Sequence, residues 1–152
     1  MKDENLLPKN LDIQKWIAGA KVLNPSQHII IDDIESPKNK DFYKNLKSQG
    51  WWSLRNRFEK TYKALTQGEK YDTDELISIP SSLKYRDELV SELSQPTYSH
   101  PNGLILIDKK PSGTKSPNLA DATVMAFWPV PKKDNMFGMI SGGPAGSKEK
   151  MI

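Results

Sequence analysis

The stretch Ser116-Pro117-Asn118-Leu119-Ala120-Asp121-Ala122-Thr123-Val124-Met125-Ala126-Phe127 is an apolar helix pattern with one carboxylate set into it. Ser116-Pro117 stand in the favoured order for a helix start, a serine N-cap followed by proline at the first helical position. The pattern predicts a helix from Asn118 to about Trp128, stopped by Pro129. At helical spacing Asp121 shares a face with Val124, Met125 and Trp128. A carboxylate on an apolar stripe is costly unless it is paired or binds a cation. A helix-dipole role is the plainer alternative, but Asp121 is expected beyond the first turn, where that gain has faded. Asp121 is therefore the first candidate functional residue.

Immediately upstream, Gly103-Leu104-Ile105-Leu106-Ile107-Asp108 predicts a strand whose apolar continuity suggests burial on both faces. The loop Lys109-Lys110-Pro111-Ser112-Gly113-Thr114-Lys115 joins it to the helix. Lys109, Lys110 and Lys115 could hold a phosphate backbone near Asp121.

Further out, Asn39 to Leu65 predicts one long helix, with Phe42, Leu46, Gly50, Leu54, Phe58 and Tyr62 stepping by four and Gly68 as its stop. Gly50 costs about 1 kcal/mol against alanine in a helix, so it either permits close approach of another element or marks a break. Trp51 and Trp52 read as core rather than as a base-stacking platform. Asp74–Pro80 could be a short strand or a helical turn, and Leu83 to Leu93 a helix with acids on its outer side. His28-Ile29-Ile30-Ile31 looks like a buried strand ending in Asp32-Asp33, a pattern shared by metal-dependent enzymes and ordinary strand ends. The rest of residues 1–37 is irregular, cut by Pro8, Gly19, Asn24-Pro25 and Ser36-Pro37. Residues 129–152 are rich in Pro, Gly, Ser and Lys and are expected to be a disordered tail. Gly142-Gly143-Pro144-Ala145-Gly146-Ser147-Lys148 lacks the spacing of a phosphate-binding loop.

Composition narrows the chemistry. The chain has 152 residues, 36% of them hydrophobic, which allows one domain with a thin core. No apolar run approaches the ~20 residues of a membrane span. The absence of cysteine excludes disulfides, thiol nucleophiles and thiolate metal sites, and two isolated histidines exclude a histidine cluster. A metal would need oxygen ligands, which favours Mg²⁺ or Mn²⁺. The net charge of +3 hides a division, with −2 over residues 1–37, +6 over 38–70, −4 over 71–95 and +3 over 96–152. The +6 block suits a polyanion, or is simply a solvated helix face.

Ser116–Ala122 with Met125-Ala126-Phe127 resembles the end of the nuclease domain of phage terminase large subunits. Similar stretches follow in family order: Lys38–Phe42, Gln49–Arg55, Asp74–Pro80 and Glu92–Thr97. The resemblance spans about residues 20–130. It implies an α/β, partial ribonuclease H-like fold, a truncated sheet with flanking helices, over residues 38–128. It also implies a DNA-packaging endonuclease in the bacterial host cytoplasm, using Mg²⁺ or Mn²⁺ in two-metal phosphodiester hydrolysis. Portal protein and the small terminase subunit are the implied partners, double-stranded DNA the substrate, and Asp121 the metal-binding catalytic acid.

The chain departs from the family in having no Walker A loop and no counterpart of the first two nuclease acids. The expectation is therefore the C-terminal part of such a nuclease, inactive alone, as from a prophage remnant, a split gene or an internally started product. The alternatives are a non-catalytic DNA- or partner-binding fragment, and a self-contained nuclease using Asp32, Asp33, Asp108 and Asp121. The last requires the Ile29–Ile31 strand beside the Leu104–Ile107 strand. A truncated sheet would also favour poor solubility or oligomerisation.

Overall fold

The computed structural model describes residues 15–31, 33–108 and 116–128. In chain order the elements are α1 (Asn39–Phe42), α2 (Leu46–Gln67), a 3-10 turn (Thr73–Glu75), α3 (Arg86–Leu93), β1 (Thr97–Ser99), a second 3-10 turn (Pro101–Gly103), β2 (Leu106–Asp108) and α4 (Asn118–Ala126). The fold is mixed, with a small antiparallel sheet of β1 and β2 laid against helices.

Helix α2 organises the rest. Asn45 caps it, its side chain accepting the Ser48 N–H at 2.9 Å, and Gly68 ends it in the left-handed region at φ 69°. One core cluster joins Trp51 and Leu54 of α2 to Ile77, Leu89 of α3, and Ala120 and Val124 of α4. A second joins Val22, Tyr43 and Ile105. The single helix expected over Asn39–Leu65 is broken. Tyr43 turns extended (φ −112°, ψ 137°) and bridges Ile105 in parallel. The Ile105 N–H donates to Phe42 O at 2.7 Å and the Lys44 N–H to Ile105 O at 2.9 Å. Those strand-type bonds outweigh helical continuity at this point, and Asn45 restarts the helix.

The apolar run at 103–108 is divided as well. Asn102 and Gly103 take positive φ to turn the chain, Ile105 is buried, and only Leu106–Asp108 pairs with β1. The segment His28–Ile31 is not a buried strand. His28 bridges Lys38, the Ile29 N–H donates to Pro37 O at 2.9 Å, and Ile30 and Ile31 are exposed. Buried Ser36 closes this loop, its hydroxyl reaching Ile30 O and Asp33 O, so the loop meets its polar needs without a sheet.

The described residues of 15–38 hold no helix or strand beyond that bridge, yet this segment docks on α2: Leu23 exchanges bonds with the Gln49 side chain at 2.8 and 3.1 Å. Asp74–Pro80 is half turn and half extended chain. It is tied to α2 by the Ile77 N–H donating to Thr61 Oγ1 at 2.9 Å and by Arg57 Nη1 donating to Leu76 O at 3.1 Å. Helix α3 starts at Arg86 rather than Leu83, and one of its acids, Glu92, points inward and is buried.

At α4 the start differs from expectation. Pro117 is the N-cap, with no side-chain cap bond, and Asp121 lies in the first turn, its N–H donating to Pro117 O at 2.8 Å. The loop lysines Lys109, Lys110 and Lys115, the acid Asp32 and the tail 129–152 lie outside the described residues. No helix among the described residues is long and apolar enough to cross a membrane.

Candidate functional site

The site forms where α4 meets α2. Gly50 makes that meeting possible: a Cβ there would lie 2.8 Å from Trp16 Cη2 and 2.9 Å from Val124 Cγ1. The next residue, Trp51, is 7% exposed and donates its indole Nε1–H to Asp121 Oδ1 at 3.1 Å. Among the described residues no donor reaches the other carboxylate oxygen, Oδ2. On the other side of α4, Oε2 of buried Glu92 accepts the Ala120 N–H at 3.0 Å. That amide is one of the first-turn donors a helix cannot satisfy itself. Two elements thus pin two consecutive residues of α4, and Asp121 is half-buried between solvent and core. The first-turn position adds a favourable helix-dipole interaction to the carboxylate.

The other acids fall elsewhere. Asp108, at the end of β2, accepts the Ser99 hydroxyl at 3.3 Å. Asp33 serves its own loop, its Oδ1 accepting the Glu35 N–H at 2.9 Å. The Ile29–Ile31 segment does not pair with the Leu104–Ile107 segment, which removes the geometry a self-contained nuclease needed. No group of three or more His, Cys, Asp or Glu side chains able to hold a metal exists among the described residues. The described residues therefore do not fit a two-metal centre. What they supply where α2 meets α4 is the Asp121 carboxylate, with Oδ1 taken by Trp51.

The basic face of α2 is partly spent on the protein itself. Arg55 and Lys63 share Glu59 at 3.1 and 3.0 Å, and this pairing, Lys63 first, holds the Glu59 carboxyl below its ordinary range. Lys60 pairs with Glu75 and lowers that carboxyl too. The two tryptophans part company. Trp51 is core, whereas Trp52 is half-buried in a run of edge-to-face rings with Phe42 and Tyr98, under the Arg55 guanidinium at 4.9 Å.

The sequence singles out Asp121 and Gly50; the structure adds Trp51 as the donor to Asp121 and Glu92 as the acceptor of the Ala120 N–H. Glu92 stands three residues after Leu89 on the apolar face of α3, which was the available signal.

No protein-family model matches the chain, and no curated protein matches it. Solved structures do. The chain is similar to the nuclease domain of the large terminase subunit gp2 of bacterial virus Sf6, with 28% identity, a TM-score of 0.57, and coverage of 68% of this chain and 50% of that one. A lysine-to-alanine variant of that domain with manganese and beta-thujaplicinol matches at 28% identity and TM-score 0.55 over the same shares. A variant gp2c from bacteriophage Sf6 with calcium matches at 29% and 0.55, again over 68% and 50%. The fold is thus similar to the ribonuclease H-like terminase nuclease domain, and the chain spans about half the length of these neighbours.

Proposed function

We propose that this chain is the Asp121-bearing part of a terminase-type DNA nuclease, able to grip duplex DNA but not to cut it alone. The observation that carries the reading is the half-buried Asp121 carboxylate, with Oδ1 held by Trp51, on a fold similar to the Sf6 nuclease domain. In this reading residues 38–128 are the nuclease-like part, 1–37 an irregular leading segment and 129–152 a tail. Asp121 is the metal-binding catalytic residue, and Mg²⁺ or Mn²⁺ supplies the activated water and the Lewis acid when bound. Further carboxylates have to come from outside the described residues, because one acid cannot place two ions. The chain's own residues orient that one ligand and hold DNA beside it. Cleavage of concatemeric viral DNA during packaging, the portal and small-subunit partners and the host cytoplasm belong to the same proposal.

The DNA contact rests on Lys109, Lys110 and Lys115, which lie between β2 and α4 in the chain. Binding of a duplex oligonucleotide across a salt series tests it. Each phosphate contact contributes about −0.9 to the slope of log K against log salt, so replacing the three lysines by alanine should flatten the slope by about 2–3. An unchanged slope would remove the loop from the DNA surface.

A further inference from the structure

We infer that Tyr98 and His100, braced by Trp52, form a surface on which the bases of an unpaired DNA strand stack, an inference that deepens the DNA-gripping reading and rests on it. Tyr98 is the middle residue of β1, and its ring meets Trp52 of α2 edge to face at 5.2 Å. His100 follows two residues on, and its ring meets Tyr98 in the same way at 5.3 Å. Trp52 is itself packed against Phe42 at 6.0 Å and lies under the Arg55 guanidinium, so the set is anchored from α2. Its outer members remain open: Tyr98 is 52% exposed, and His100 is exposed as well. Anchored aromatic rings with open surface are what sequence-tolerant single-strand binders offer to bases. The ring angles favour an unpaired strand over a duplex. Trp52 and Tyr98 stand at 84° to each other, and Tyr98 and His100 at 80°. Duplex bases lie parallel with their faces already covered, whereas an unpaired strand can turn each base to its own ring. Charge points to the same occupant. Thr97, the neighbour of Tyr98, pairs with Asp108, and Lys109 is the next residue in the chain after Asp108. The lysine segment proposed to hold phosphate therefore begins beside the rings, and Asp108 itself accepts the Ser99 hydroxyl at 3.3 Å. Phosphates on basic side chains and bases on rings is the usual division in single-strand recognition.

Fluorescence anisotropy of the full chain with labelled probes tests this surface. The probes are a blunt duplex, that duplex with a short thymidine tail, and that duplex with an abasic tail of equal length. The abasic tail keeps the phosphates and lacks the bases, so the difference between the two tails reads stacking alone. The wild-type chain should bind the thymidine tail about fivefold or more tighter than the abasic one. Tyr98→Ala should abolish that preference, and Tyr98→Phe, which keeps a ring, should retain it. If Tyr98→Ala does not fold, His100→Ala decides in its place. Equal wild-type affinity for the two tails, with the duplex still bound, would overturn the stacking surface and leave the DNA-gripping reading standing. A thymidine preference that survives in the folded alanine variant would put the stacked bases elsewhere and overturn the surface as well. If none of the probes binds at low salt, the DNA-gripping reading fails and the stacking surface with it.

Discussion

At Gly50 helix propensity and packing pull in opposite directions. Alanine would be worth about 1 kcal/mol more than glycine in the interior of α2. Its Cβ, however, would press on Val124 Cγ1 at 2.9 Å and Trp16 Cη2 at 2.8 Å, and Val124 is a stiff, buried, β-branched residue. Overpacking typically costs about 1–3 kcal/mol, so Gly50→Ala should lower stability by up to about 2 kcal/mol in urea unfolding. A rise in stability would show that α2 and α4 do not meet this closely. Tyr43 gives a second test, because burial pushes its phenol up to about 12. Unfolded tyrosine ionises near 10, so the buried neutral phenol favours the fold below that pH and the benefit is lost as pH rises from 10 through 12, on the order of 2 kcal/mol. Ultraviolet titration of tyrosinate alongside alkaline unfolding should show the two events together. Asp121 and Gly50 were legible because each violates a local rule, a charge on an apolar stripe and a glycine in a helix. Glu92 was less legible, since an acid three residues from a buried leucine looks like any exposed glutamate until a backbone N–H comes to meet it.

Among the elements, α2 and α4 were readable from periodicity, and the break between α1 and α2 was not. Helical spacing runs straight through Tyr43, and nothing local announces that the backbone there will pair with Ile105, 62 positions away in the chain. The one local trace is Asn45, whose side chain accepts from both the Ser48 N–H and the Ser48 hydroxyl at 2.9 Å. Ser48 is fully buried and its hydroxyl oxygen also accepts the Ile107 N–H at 3.2 Å, so this cap ties the helix start to the sheet. Asn45→Ala removes a cap and strips a buried hydroxyl of its acceptor, and should cost about 1–2 kcal/mol by thermal or urea unfolding. No change would mean that the restart of α2 does not depend on its cap. The His28–Ile31 run misled for a related reason. Three consecutive isoleucines make a strand only where a partner edge exists, and here Ser36 and Pro37 close a loop instead.

The described residues are built around one long helix with a sheet of two three-residue strands, and they expose Ile30, Ile31 and Ile34. Its similarity to the Sf6 nuclease domain extends over half of that domain. Among the described residues Glu59 and Glu75 pair with Arg55, Lys60 and Lys63 of the basic block, and the proposed DNA contact is the lysine segment before α4. In the proposed reading the chain supplies Asp121 to a metal nuclease and does not cut DNA unaided. Nicking of supercoiled plasmid in Mn²⁺, with the wild-type chain beside Asp121→Asn, tests it most directly. The expected result is no nicking by either protein while duplex binding remains salt-sensitive in both. Nicking by the wild-type chain that vanishes in Asp121→Asn would contradict it, by showing a complete metal centre within this polypeptide.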